Sequence, residues 1–176
     1  GAIICDSTPG AGTCFRIYLP PVEDEGVQVS PRVREPSRGR GERVLLVDDE
    51  EPVVAIAGRM LERLGYKPHV FTDARRALAE LERTPQAYDL LLSDLTMSGI
   101  TGIDLARRAR ELRPDFPIII TTGFMNARDI DTARGLGVSV FLEKPFALSA
   151  LADCLQIALH PSERSGSRPP MPWAGR

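Results

Sequence analysis

Two hydrophobic patterns divide this chain. Near the start, Phe15, Ile17 and Leu19 alternate with Cys14, Arg16 and Tyr18, the period of a strand with one covered face. With the apolar stretch Gly1-Ala2-Ile3-Ile4-Cys5 before it and Pro9-Gly10-Ala11-Gly12 between, this predicts a β-hairpin over residues 1–20. From Arg43 to about Leu159 the apolar residues instead come in short unbroken runs, at 44–47, 90–92 and 118–120, with further strands expected at 67–71 and 138–142. Runs without alternation suit strands buried on both faces, as in a parallel sheet covered by helices. Helical spacing fills the gaps. Val53, Ile56, Ala57, Met60, Leu61 and Leu64 follow Pro52 and stop at Gly65, and Ala74, Ala77, Leu78 and Leu81 follow a capping Asp73 and stop at Thr84-Pro85. After a loop at 99–102, Leu105, Ala109 and Leu112 mark a third helix, a more polar one is expected over 126–136, and Leu148, Leu151, Leu155 and Leu159 stripe the last. The prediction is an α/β fold: a doubly wound, five-stranded parallel sheet with five helices, preceded by a short hairpin.

Between the two patterns, residues 21–42 hold three prolines, three glycines and nine charged residues, too few apolar groups to offset ordering entropy, and read as a flexible linker. Residues 161–176, rich in Pro, Ser and Arg, read as a disordered tail. The expected organisation is therefore 1–20, 21–42, 43–160 and 161–176. Composition changes little: of 176 residues 43% are apolar and 26% charged, enough for one core. A net charge of −2 gives no electrostatic case for nucleic acid or an anionic membrane surface, and no run approaches the roughly 18 apolar residues of a membrane span. Cys5, Cys14 and Cys154 are odd in number and lack metal-ligand spacing, which favours reduced thiols and a cytoplasmic setting. A start at Gly1 without methionine suggests a fragment of a longer protein.

The chemistry lies where the apolar runs stop. Val44-Leu45-Leu46-Val47 ends on Asp48-Asp49, Leu90-Leu91-Leu92-Ser93 on Asp94, the 118–120 run on Thr121-Thr122, and the 138–142 run on Glu143-Lys144-Pro145. If all four strands run parallel, these groups share the carboxyl edge of the sheet, where open α/β folds bind ligands. One acid after one strand is usually a cap or a solvated loop residue; five suitable groups after four strands are harder to explain that way. Two carboxylates about 4 Å apart repel by about 4 kcal/mol at an effective dielectric of about 20, so three together call for a proton or a cation. A hard divalent ion with oxygen ligands, Mg2+ keeping several waters, is the economical answer. Lys144 adds a positive charge able to meet a phosphoryl oxygen, and a carboxylate can be the nucleophile of an aspartyl-phosphate.

These residues resemble the receiver domain of response regulators, the CheY-like, flavodoxin-like fold, over the whole of 43–160. The resemblance implies that Asp48 and Asp49 are the acidic pair, Asp94 the phosphoacceptor, Thr122 the switch hydroxyl, and Lys144 the lysine of a Lys-Pro-Phe motif continued by Pro145 and Phe146. It implies Mg2+ held by Asp49, Asp94 and the backbone carbonyl of Thr96, with Asp48 acting through water, and a cis Lys144–Pro145 bond. Departures are Gly123 in place of the commoner alanine, Ser98 where proline is usual, and Phe141 as a switch aromatic without a hydroxyl. Thr96 and Phe124 stand where the family's water-orienting side chains would be, which implies a long-lived phosphoryl group.

Gly10, Gly12, Thr13, Phe15 and Leu19-Pro20 in turn resemble the closing Gly-x-Gly-Thr-x-Phe box of sensor histidine kinase ATP-binding domains. Together the resemblances imply the C-terminal receiver of a hybrid sensor histidine kinase, working in a two-component phosphorelay. The phosphodonor would be a histidine kinase or a histidine phosphotransfer domain, because His69 lies in a predicted strand and His160 just past the last helix. The fragment would be a phosphoacceptor rather than a turnover enzyme, touching neither nucleic acid nor membrane. A homodimer would use the surface of the fourth helix, fifth receiver strand and fifth helix, or the N-terminal hairpin. Two alternatives stand beside this: a phosphorylation-independent interaction module, and an aspartate-nucleophile phosphohydrolase, against which Thr96 occupies the place of that class's second acid.

Overall fold

A computed structural model describes residues 1–20, 37–123 and 127–161. The linker residues 21–36, the tail residues 162–176 and Phe124 lie outside the described residues. The chain separates into two units, residues 1–34 and 35–176.

In the first unit, β1 (Ala2–Thr8) pairs antiparallel with β2 (Gly12–Tyr18), in a register that sets Ile3 opposite Ile17 and Cys5 opposite Phe15. Gly10 and Gly12 both have positive φ, which a side chain would resist, and so allow the tight reversal. An Arg16–Asp6 ion pair and a Ser7–Thr13 hydrogen bond tie the two strands across their exposed surface. Every residue of both strands is exposed.

The second unit is a five-stranded parallel sheet of order β4-β3-β5-β6-β7, built from β3 (Arg43–Val47), β4 (Lys67–Phe71), β5 (Leu90–Asp94), β6 (Ile118–Thr122) and β7 (Val140–Glu143). Between them run α1 (Glu51–Arg63), α2 (Ala74–Arg83), α3 (Gly102–Leu112) and α4 (Ala127–Gly135), with α5 (Leu148–Leu159) last. The unbroken apolar runs are explained by two cores. Leu45, Val47, Leu91, Ile118 and Ile120 face Ala77 and Leu81 of α2, Leu105 and Ala109 of α3, and Ala133 of α4. Val44, Leu46, Leu92, Ile119 and Leu142 face Val54, Ala57 and Leu61 of α1 and Leu151 and Leu155 of α5. Every residue of β5 and β6 is buried. Side chains alternate between the two cores while all of them remain apolar. The predicted α/β architecture, five strands and five helices with a separate hairpin, is the one found.

Local signals set the boundaries. Asp73 caps α2 by accepting from the amides of Arg75 and Arg76, and Pro52 sits in the first turn of α1. Two boundaries differ from the sequence reading. The stretch 99–102, expected as loop, ends earlier, because Thr101 and Asp104 form a capping box that starts α3 at Gly102. The fifth strand of this sheet begins at Val140 rather than Val138; Gly137 turns the chain with positive φ, and Val138 is buried beside it. Residues 39–42, counted with the linker on composition, are held at the start of the domain: the Gly39 amide donates to the Leu64 carbonyl, the Lys67 amide to that of Glu42, and the ring of Tyr66 lies close over Gly39.

No described helix is long and apolar enough to cross a membrane.

Candidate functional site

Parallel pairing delivers the polar ends of four strands to one edge. Asp48 follows β3, Asp94 ends β5, Thr122 ends β6 and Lys144 follows β7. The register fixes their levels, with Asp94 opposite Thr121 and Thr122 opposite Glu143. The Lys144 amide donates to the Thr122 carbonyl, extending the ladder by one rung so that the lysine projects from the sheet's end. The Lys144–Pro145 bond is cis.

Lys144 Nζ lies 2.6 Å from Asp48 Oδ2 and 2.6 Å from Asp94 Oδ1, and 3.8 Å from Glu50 Oε1. Asp48 and Asp94 are 3% and 6% exposed, so one ammonium is shared by two buried carboxylates, and removing it would leave two uncompensated buried charges. Burial by itself would lower the Lys144 pKa. The hydrogen bonds and charges of Asp48 and Asp94 together outweigh it and hold the amine above the ordinary lysine value of 10.5. The second oxygen of each acid is also engaged: the Glu50 amide donates to Asp48 Oδ1 at 3.0 Å and the Thr96 amide to Asp94 Oδ2 at 2.8 Å. Thr121 Oγ1 makes a long contact of 3.5 Å to Asp94 Oδ1. Thr122 is 3% exposed and lines a cleft of about 390 Å³ together with Glu50, Asp94, Thr96, Gly123, Asp129 and Lys144.

Asp49 behaves differently from its neighbour. It is exposed, and its Oδ2 accepts from both the amide (3.0 Å) and the hydroxyl (3.3 Å) of Ser98. Among the described residues no group of three His, Cys, Asp or Glu is gathered at metal-holding distance. The donors nonetheless fit a hard divalent ion in kind. They are carboxylate oxygens, Asp48 and Asp94 have a single ammonium between them, and Asp49 Oδ1 has no protein partner among the described residues.

Several neighbours were invisible in the sequence. Glu50 and Asp129 line the cleft, and the adjacency of Glu50 to the acid pair was the only hint for either. Gly102 is required because a Cβ there would come 2.1 Å from the Asp94 carbonyl oxygen, where only backbone could yield. Ser98 could be recognised only as a departure from proline. Phe141 is half-buried in β7 against the first core, and the Cys154 thiol approaches its carbonyl at 3.9 Å. His69 pairs with the Tyr88 hydroxyl, and His160 caps α5, so neither histidine is at this edge.

The comparisons with known proteins converge. Residues 44–156, well over half the chain, match the family model described as "Response regulator receiver domain". Sensor kinase CckA of Brucella abortus is 33% identical over 163 residues, covering 86% of this chain and 17% of the kinase, so the chain spans only a small part of that relative. The response regulator receiver protein CpdR, also of Brucella abortus, is 36% identical over 114 residues and covers 63% of this chain and 91% of its own. Among solved structures, a CheY-like receiver domain protein from Methanospirillum hungatei superposes with a TM-score of 0.65 at 25% identity, over 72% of this chain and 99% of its own. Proteins of this kind generally bind Mg2+ at the acidic phosphorylation site. With a doubly wound sheet, the carboxylates of Asp48 and Asp94 meeting Lys144 at its carboxyl edge, and these relatives, the chain belongs to the response-regulator receiver family of two-component signalling.

Proposed function

We propose that Asp94 accepts a phosphoryl group from a phosphohistidine on a partner protein, a histidine kinase or a histidine phosphotransfer domain. A carboxylate oxygen of Asp94 attacks phosphorus, the P–N bond breaks, and the imidazole of the donor leaves. The observation that carries this is the Lys144 ammonium 2.6 Å from the Asp94 carboxylate, beside an open cleft. As the phosphoryl group arrives, Lys144 exchanges its contact with Asp94 for one with a phosphoryl oxygen while keeping Asp48, and the Thr122 hydroxyl, which lines the same cleft, donates to another. Asp49, Asp94 and the backbone carbonyl of Thr96 would hold Mg2+, with Asp48 acting through water. The ion supplies charge neutralisation on the transferring oxygens. The product carries about −1.5 to −2 charges at a site now bridged by one lysine, a local change that biases the surface of α4, β7 and α5, with Phe141 moving sterically.

The relation to CckA supports placing this receiver in a hybrid sensor histidine kinase of the cytoplasm, with residues 1–20 as the last strands of its ATP-binding domain. Acetyl phosphate with Mg2+ should add one phosphoryl mass to the intact chain, and ATP with Mg2+ should add none. Labelling by ATP alone would show a kinase activity that this reading denies. A chain inert to small phosphodonors and to phosphohistidine proteins would instead be a phosphorylation-independent module.

A further inference from the structure

The two adjacent acids of the site are treated unequally. Asp48 is buried under Lys144, whereas Asp49 is exposed, is absent from the lining of the cleft, and places both of its hydrogen bonds on one residue. That residue, Ser98, offers two donors from a loop that is anchored at both ends. Met97 is buried in the first core, the Gly102 amide donates to the Leu95 carbonyl, and the Ile100 amide donates to that of Ser98. We infer that Ser98 is a latch on Asp49: its amide and hydroxyl fix Oδ2 and so hold the carboxylate turned off the cleft, and the carboxylate must turn away from Ser98 before Asp49 can ligate a divalent cation there. The inference rests on the Mg2+-dependent reading above and concerns how tightly this chain takes the ion. Ser98 is a positioning residue that acts only through Asp49.

The physical case is one of competition for the orientation of a single carboxylate. Hydrogen bonds to an ionised carboxylate are among the stronger ones, and Mg2+ gives up its waters reluctantly, so a modest protein contact is enough to shift the balance. A serine contributes a hydroxyl donor that alanine lacks, and proline would lack both the hydroxyl and the amide hydrogen. The opposite outcome is equally definite. Had Ser98 oriented Asp49 toward the ion, as outer partners of metal ligands often do, its removal would weaken binding.

The test is calorimetric titration of the full chain with MgCl2, without phosphodonor. Ser98→Ala should tighten Mg2+ binding by about two- to fivefold, Ser98→Pro by about tenfold, and Ser98→Thr, which keeps both donors, should stay near wild type. Independently, amide hydrogen exchange at Ser98 should be slow in EDTA and speed up as Mg2+ saturates, because the latch opens. Unchanged or weaker binding by Ser98→Ala, or a Ser98 amide indifferent to Mg2+, overturns the latch while leaving the receiver reading intact. Failure of the wild type and both loosened variants to bind Mg2+ overturns the latch together with the Mg2+-dependent reading beneath it.

Discussion

The molecule contains two β-structures that solve the same problem in opposite ways. In the hairpin, Ile3, Phe15 and Ile17 are 68%, 66% and 63% exposed, and the strands are held by their own ladder, a tight turn and surface polar pairs. In the receiver sheet, β5 and β6 have no exposed residue, because helices cover both faces. An isolated two-stranded ribbon is marginal in water, whereas a sheet closed over two cores is rigid enough to hold charged groups in fixed relation. The buried Asp48 and Asp94 and the half-buried Lys144 can be kept together only by the second kind. The described site sits where the backbone is over-determined, at the carboxyl edge of the receiver sheet.

The sharpest way to break that contrast is to remove core volume. Leu91→Ala in β5 should cost about 2–5 kcal/mol in urea unfolding of the receiver, whereas Ile17→Ala in β2 should move the same transition by no more than about 0.5 kcal/mol. Comparable losses would mean that the two structures do not differ as described. A second probe lies where the core meets the site. Gly102→Ala must push the Asp94 backbone, since the added carbon would lie 2.1 Å from its carbonyl oxygen. We expect a loss of about 1–3 kcal/mol and slower phosphoryl uptake, and an unchanged rate would show that the turn can yield without disturbing Asp94.

The smallest effect is electrostatic. Lys144 has a folded-state pKa above its unfolded value, so its contribution to stability is complete below about pH 10.5 and is lost as pH rises through the folded value. Wild type should therefore lose stability more steeply above that pH than Lys144→Met. Comparing the two chains cancels the tyrosines that titrate nearby, including Tyr88, pushed up to about 12 chiefly by burial. Parallel slopes would mean that the lysine gains nothing from Asp48 and Asp94 in the fold.

The architecture was legible because a doubly wound sheet writes itself into the sequence twice, as unbroken apolar runs at 44–47, 90–92 and 118–120 and as polar residues where those runs stop. Asp48, Asp94, Thr122 and Lys144 could be grouped from that alone, since parallel strands must bring their carboxyl ends to one side. What stayed hidden is whatever depends on three-dimensional proximity without a periodic signature. The capping box of Thr101 and Asp104 needs the helix geometry to be noticed as more than two polar residues after a glycine. Gly102 reads as a loop residue until the Asp94 carbonyl is seen beside it. The divergence of Asp49 from Asp48 is likewise set by Ser98, 49 positions away.

The central claim is that the buried carboxylate shared with Lys144 is the group that becomes phosphorylated. The direct measurement is peptide mapping by mass spectrometry after treatment with acetyl phosphate and Mg2+, comparing wild type with Asp94→Asn. The account predicts a single phosphoryl group on the peptide containing Asp94 and none on the variant; a phosphoryl group elsewhere in the wild type, or undiminished uptake by Asp94→Asn, would contradict it.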